Sequence, residues 1–419
     1  MNTIRFKELF TYKEYDKYWI ATSFAMGASN LFQYVLSLYV LAITGSSLQF
    51  AMSVAIGAIP RLVLTPFAGV FGDRYPKQKL MACLNLLGIL TMIVFAYLIH
   101  IVGSLTMPLV YALVVVLEII EIFYNAPEQA LIPEIVEEEY LEDAASFALI
   151  DDGIVAIICP FIGAYIYKTL KIESIFMLNA CLSMICFLII LTVKTPYKKR
   201  VYEKKAYKWQ DNIDEIKFGF NYMKQHPRIR VFILLTPLMS FTEGAIFNIV
   251  ITYVLLEVFK VTPMFYSMYC AITVSMLIIA PLFIDPMIKK YRVDRIMLVS
   301  MLATTIAFVF IGFVIRFALG DMQHVMKYAY MILACDCITL VLSLSVWTGL
   351  NVYFQKNVEE EYRARVMSTG RMLRIVASSV GGILYGYLAQ TIGVSITIWI
   401  GSIWFMLCLI YVNEQFKKL

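Results

Sequence analysis

Apolar runs recur along this chain, each close to the ~20 residues that a helix needs to cross a bilayer. They fall at 18–41, 48–71, 80–101, 107–125, 146–167, 174–193, 231–256, 264–284, 296–317, 326–350, 366–388 and 395–412. Hydrocarbon offers no partner to a backbone N–H or C=O, so runs of this length are confined to helices. Charged residues make up 16% of the chain, against about 25% in soluble domains. The pattern predicts an all-α membrane protein with twelve transmembrane helices. The one long polar stretch, 194–230, is rich in Lys and Tyr and parts six runs from six. The expected organisation is therefore a bundle over 1–193, a cytoplasmic linker over 194–230 and a second bundle over 231–419.

Residues 1–17 set Phe6, Leu9, Phe10 and Tyr12 against Lys7, Lys13 and Lys17. That pattern reads as an interfacial helix. It is no apolar signal core, so the first run is expected to serve as an uncleaved insertion signal. With the N-terminus inside, the cytoplasmic segments hold 27 basic residues and the outer segments 5. The excess of Lys and Arg places both termini in the cytoplasm of a multi-pass cell-membrane protein.

Several classes of chemistry are excluded. All eight cysteines lie in apolar runs, so no structural disulfide is expected. His100, His226 and His324 lie at or outside the ends of runs, which argues against an imidazole metal site. The basic residues are dispersed and give no nucleic-acid signal. There is no G-x-x-x-x-G-K-[ST] loop to bind ATP and no nucleophile–base set, so neither an enzyme nor a cofactor is expected.

Between the second and third runs stands Gly-Val-Phe-Gly-Asp-Arg-Tyr-Pro-Lys-Gln-Lys, residues 69–79. Asp73 and Arg74 cannot sit cheaply in hydrocarbon and Pro76 cannot continue a helix interior, so the stretch is a tight hairpin at a membrane face. Gly69 offers a small surface for close helix packing. The halves are also related: Val136-Glu137-Glu138-Glu139-Tyr140 recurs as Val358-Glu359-Glu360-Glu361-Tyr362, each copy after the fourth run of its half. The hairpin resembles the signature loop of major facilitator superfamily transporters, G-x-x-x-D-R-x-G-R-[RK]. Gly69, Asp73 and Arg74 match, Lys77 takes the first basic position, and Pro76 and Gln78 depart from it. An ordinary cytosolic hairpin is the alternative. The resemblance implies the major facilitator fold, two pseudo-symmetric six-helix bundles.

Within that superfamily the chain is similar to the macrolide-efflux-like branch of drug exporters. The similarity rests on Thr44-Gly45-Ser46-Ser47, Pro60, the hairpin, Pro127 and Pro133, and Glu361-Tyr362-Arg363-Ala364-Arg365-Val366. Proton-coupled antiporters of the superfamily usually carry an arginine in the fourth span and a Gly-Pro kink in the fifth. Here Glu118 and Glu121 occupy the first place, and Cys159-Pro160 with Gly163 the second.

Ionisable residues inside spans are functional candidates, because each costs roughly 2.5–3.5 kcal/mol at mid-membrane on insertion scales. They are Arg61, Glu118, Glu121, Asp151, Asp152, Glu243, Asp336 and Arg371, with Arg374 nearer the cytosol. The resemblance places helices one, four, seven and ten around a central cavity. Polar stripes accompany them: Ser23, Gly27, Asn30, Tyr34 and Ser37; Thr236, Ser240, Glu243 and Phe247; Asp336, Thr339, Ser343 and Trp347. Such stripes either line a wet chamber or hydrogen-bond helix to helix. Glu118 and Glu121, one turn apart, cannot both ionise readily in low dielectric. They suit a protonation switch or a cationic-substrate site, and a salt bridge from Glu118 to Arg61 is the alternative. Asp151 and Asp152 are either part of the site or wholly solvated. Tyr34, Phe247 and Trp347 form an aromatic wall for a bulky ligand, or pack in the core. From the resemblance, Gly69, Asp73, Arg74 and Lys77 with Arg371 and Arg374 form a conformational gate, Asp73 meeting the start of the eleventh helix.

The expectation is a monomeric secondary transporter in the lipid bilayer that exports amphipathic or cationic small molecules by alternating access, a multidrug-resistance antiporter using a proton or other coupling ion. Alternatives are a lipid-like solute, such as a lysophospholipid or siderophore, and a non-transporting sensor or assembly factor. Asp73→Asn is expected to abolish transport and leave the protein folded and inserted; full transport by that variant in proteoliposomes overturns the gating role.

Overall fold

The computed structural model describes residues 9–196, 217–218, 221–291 and 293–418, and the side chains of Gly69, Asp73 and Arg74 lie outside the described set. Among the described residues twelve spans are long and apolar enough to cross a membrane. The helices are α1 (Lys13–Thr44), α2 (Ser47–Ala55), α3 (Ala58–Arg74), α4 (Lys77–Val102), α5 (Met107–Ile135), α6 (Leu141–Thr169) and α7 (Ile172–Ile190). They continue with α8 (Pro227–Ala245), α9 (Pro263–Lys290), α10 (Val293–Gly320), α11 (Val325–Asn357), α12 (Glu360–Thr391) and α13 (Val394–Lys418). The chain groups into two compact units, Met1–Ser37 with Ile59–Tyr207, and Leu38–Ala58 with Lys208–Leu419.

Local chemistry explains the interruptions. Gly45, at φ 56°, ends α1 in the left-handed region that only glycine enters freely, and its N–H bonds the Leu41 carbonyl at 2.8 Å. Ser46 then caps α2, its Oγ accepting from the Gln49 N–H at 3.2 Å. The second span is broken into α2 and α3 by a turn at Ile56–Gly57. Pro60 sits just beyond it. Proline has no N–H for the Ile56 carbonyl, and its ring crowds that carbonyl.

The fourth span differs from the sequence reading, which ends it at 125. α5 runs on through Pro127 and Pro133 to Ile135. Neighbouring helices and side chains can satisfy backbone groups that proline frees in a membrane helix, so the polar turn Asn125–Glu128 does not stop it. The expected interfacial helix over 1–17 lies partly outside the described residues. Residues 1–8 lie outside the described set, but Leu9 is buried with Tyr15, Met81 and Leu131. Phe10 meets Trp19 and Phe147 edge to face, so this stretch packs on its own bundle.

The sequence repeat is a structural repeat. Val136 and Val358 are both buried, in extended conformation, and end α5 and α11 with their N–H groups on Ile132 and Phe354. The Tyr140 N–H bonds the Glu137 carbonyl at 3.0 Å, and the Tyr362 N–H bonds Glu359 at 3.0 Å. Each tyrosine ring then packs on aromatics just before the first helix of its half: Tyr140 on Tyr12, Tyr362 on Phe218 and Tyr222. Five matching residues thus tie the fourth–fifth turn to the entry segment in both units.

In the second unit α12 approaches its neighbours through small residues. A Cβ on Gly381 would overlap the Phe241 carbonyl of α8. A Cβ on Gly386 would lie 2.7 Å from the Ala51 Cβ and 2.9 Å from the Ser47 carbonyl of α2. That closeness lets Ser47 Oγ donate to the Gly386 carbonyl at 2.8 Å and Ser46 Oγ to Gln390 Oε1 at 2.7 Å. After Ala245 the seventh span widens into π turns over Ile246–Ile251 and Val254–Val258. The Asn248 amide donates to the Gly244 carbonyl at 3.0 Å, the acceptor that its backbone N–H takes in an ordinary α turn. Outside the spans, His324 Nδ1 donates to the Asp321 carboxylate at 2.9 Å and holds it below the usual carboxylate range.

Gly386→Leu is expected to cost about 1–3 kcal/mol by overpacking, read as a lower thermal midpoint in detergent. Gly88→Leu, where nothing lies within 4 Å of a built Cβ, is expected to leave the midpoint in place.

Candidate functional site

In the first unit the break in the second span delivers Arg61 to the face of α5. Its Nε lies 2.5 Å from Glu118 Oε1 and its Nη2 3.6 Å from Glu121 Oε1. One guanidinium therefore serves two carboxylates, and the salt bridge left open by the sequence is formed. Arg61 is 45% exposed at its side chain and Glu118 14%, so the cation reaches the pair from the more exposed side.

The same helix carries a residue that the sequence reading missed. Glu118, Glu121, Asn125 and Glu128 follow one another at three- and four-residue steps and share a helical face. Glu128 lies within electrostatic range of Glu121 and of Asp152 on α6. Its spacing was the available signal, and ending the span at 125 hid it. Beside it, Asp151 accepts from Ser23 Oγ at 2.6 Å, while Asp152 is exposed.

The polar stripe of α1 turns partly to α6. Below Ser23, the Gly27 carbonyl accepts from Cys159 Sγ at 3.5 Å, and the Tyr34 ring would lie 2.7 Å from a Cβ on Gly163. Asn30 bonds its own helix at Met26 and is exposed. Helix-to-helix bonding thus accounts for Ser23, Gly27 and Tyr34, and Asn30 remains on an open face.

In the second unit Glu243 of α8 accepts from Ser343 Oγ of α11, and Asp336 of α11 accepts from the Tyr269 hydroxyl of α9. Asp336 is buried, as are Ser343 and Thr339. The two carboxylates are close enough to feel each other's charge. Among the described residues neither has a basic partner. Burying an ionised carboxylate unpaired costs far more than burying a hydrogen-bonded neutral acid. Phe247 packs against Phe308, ring centroids 5.5 Å apart, and belongs to the core of this unit. Trp347, one turn beyond Ser343, lies under Arg374 of α12, with the guanidinium carbon 4.8 Å from the ring centroid. Arg371 is exposed.

Comparison with known proteins decides the family. The Major Facilitator Superfamily profile matches residues 18–381. This chain belongs to the major facilitator superfamily. Among curated proteins it is 23% identical over 386 residues to macrolide efflux protein A of Streptococcus pyogenes, covering 90% of this chain and 89% of that one. It is 22% identical over 407 residues to the staphyloferrin A transporter of Staphylococcus aureus, covering 96% and 97%. Among solved structures, a mutant of the nucleoside transporter NupG matches with a TM-score of 0.74 at 15% identity, covering 96% of this chain and 99% of that one. The chain is a multi-pass membrane transporter of that fold.

The superfamily hairpin is anchored to the elements around it. The backbone of Gly69, Asp73 and Arg74 completes α3, and α4 starts at Lys77. Lys77 forms a buried ion pair with Glu134 near the end of α5, with side chains 5% and 9% exposed. Gln78, in the place of a basic signature residue, donates to the Ile190 and Leu191 carbonyls at 2.9 and 2.8 Å and satisfies the end of α7. Both side chains hold this major facilitator hairpin to its own bundle. Removing one partner of such a pair strands the other charge, at about 3–5 kcal/mol. Lys77→Met and Glu134→Leu are each expected to lower the thermal midpoint in detergent sharply, and the double variant to recover most of the loss. A double variant no better than the singles overturns the pairing.

Proposed function

We propose that this superfamily member is a secondary active exporter of amphipathic or cationic small molecules, coupled to protons, in the cytoplasmic membrane of a bacterium. The observation that carries the reading is the Glu243–Asp336 pair, two carboxylates on the seventh and tenth spans held, among the described residues, by hydroxyls. A hydroxyl can donate to a carboxylate or accept from a carboxylic acid. The pair can therefore take up a proton, or exchange it for a cationic solute, without leaving a polar group unpaired. In the first unit, Arg61 bridges Glu118 and Glu121, and the Glu121–Glu128 face extends the acidic surface along α5. Alternating access exposes such sites to each side in turn, with both termini cytoplasmic as the basic residues require.

The similarity to proteins named for macrolide efflux supports export of a bulky amphipathic solute. The similarity to a staphyloferrin A transporter, over nearly the whole chain, favours a siderophore-like solute as the second reading. A broad solute panel in proteoliposomes under an imposed pH gradient separates them. Glu243→Gln and Asp336→Asn are expected to lower gradient-driven flux about tenfold or more, in line with losing a buried charged contact. Solute exchange without a gradient should survive in at least one of them. Unchanged gradient-driven flux in both variants overturns the coupling role.

A further inference from the structure

We infer that Arg371 and Arg374 of α12, with Trp347 of α11, form a binding site for an anionic group, a carboxylate or a phosphate. The inference goes beyond the proton-coupled reading and stands on different residues.

Two arginines one turn apart within a membrane span are costly. Each is disfavoured in the hydrocarbon region, and the two lie within electrostatic range of each other, where their like charges repel. Elsewhere in this protein that cost is met by a carboxylate: Arg61 has Glu118 and Glu121, and Lys77 has Glu134. Among the described residues no carboxylate lies within ion-pair reach of Arg371 or Arg374, and neither guanidinium donates a hydrogen bond. Each planar group carries five N–H donors.

The site is also ordered. The Arg374 guanidinium lies over the Trp347 ring at 4.8 Å, which fixes its position while leaving its N–H groups to a ligand. Behind it, Gly370 seats α12 against Ile233 of α8 at 3.5 Å, and Gly381 brings the two helices closer still. The helix bearing both arginines is therefore packed closely on its neighbour. Arg374 is half-buried and Arg371 exposed, so a ligand would meet Arg371 at the open side and Arg374 deeper in. A planar fork recognises carboxylate and phosphate oxygens two at a time, which lysine cannot do. A solute carboxylate and a lipid phosphate present the same oxygens, and the test distinguishes them.

Trp347 is the reporter. The full-length protein is placed in nanodiscs of phosphatidylcholine alone and titrated with citrate and with inorganic phosphate at constant ionic strength, following tryptophan emission. A parallel sample carries phosphatidylglycerol in the nanodisc. The expected result is a saturable change that vanishes in Trp347→Phe. Arg374→Gln should raise the apparent Kd about tenfold or more, the equivalent of one charge-assisted contact. Arg371→Gln should weaken binding as well, and Arg374→Lys, which keeps the charge and loses the fork, should fall between wild type and Arg374→Gln. Saturation by citrate or phosphate in neutral nanodiscs identifies a solute anion. A Trp347 signal that appears with phosphatidylglycerol and suppresses the response to citrate identifies a lipid phosphate. No Trp347-dependent change in any arm, or an unchanged Kd in Arg374→Gln, overturns the site. Either failure leaves the Glu243–Asp336 reading untouched, because proton-driven flux is measured without these probes.

Discussion

The cost of an ionised side chain in hydrocarbon governs the whole arrangement. A charge inside a span must be paired, neutralised or kept wet. The first unit takes the first course: Arg61 is shared by two glutamates of α5, and Lys77 is buried against Glu134. The second unit does not. There Glu243 and Asp336 meet hydroxyls, and Arg374 meets an aromatic ring. Charges of opposite sign thus remain available on neighbouring helices of one unit. Ser343, which holds Glu243, is one helical turn from Trp347, which holds Arg374.

Small residues and prolines determine where those charges lie. Pro60 breaks the second span and starts α3 so that Arg61 reaches α5. Gly163 makes room for Tyr34, and the glycines of α12 draw α8 and α2 close. In a bilayer there is no hydrophobic drive between helices to compensate for loose packing, so close approach and interhelical hydrogen bonds carry the cohesion. Ser23, Asn85, Cys159 and Asn179 each bond across helices in the first unit. Their polarity serves assembly, which is why a polar stripe in a membrane helix is an ambiguous sign of a transport pathway.

Much of this was legible in the sequence. The spans follow from runs of apolar residues, because no other backbone structure survives in lipid there. The Val-Glu-Glu-Glu-Tyr repeat was readable as duplication, and its role as a turn tied to an entry segment emerges from the matching hydrogen bonds and ring contacts. What stayed hidden was three-dimensional. Periodicity places Glu118 on a face, but cannot say that Arg61, 57 residues away, will meet it. It placed Phe247 on the stripe with Glu243, yet packing sends that ring to Phe308. Glu128 lay beyond the span expected over 107–125, yet the helix runs on through Pro127 and Pro133, since neighbouring helices can satisfy what proline frees. The π turns after Ala245 have no composition signal, since they arise from backbone geometry with Asn248 bonding back to Gly244.

The contrast between the two acid pairs bears on how the proposed mechanism divides its labour. A guanidinium is a fixed cation that only donates hydrogen bonds, so protonating Glu118 or Glu121 would leave it without part of its counter-charge. A serine or tyrosine hydroxyl donates or accepts with a rotation of one bond. Protonating Glu243 or Asp336 therefore needs no movement of a helix, and only the hydroxyl hydrogen must turn. On the proposed reading, the second unit holds the group that can change charge cheaply. The first unit holds a fixed charge pattern that a cationic solute can approach. Coupling then depends on which pair the solute displaces: the convertible acids release a proton at small cost, whereas displacing Arg61 requires the solute to supply an equivalent cation.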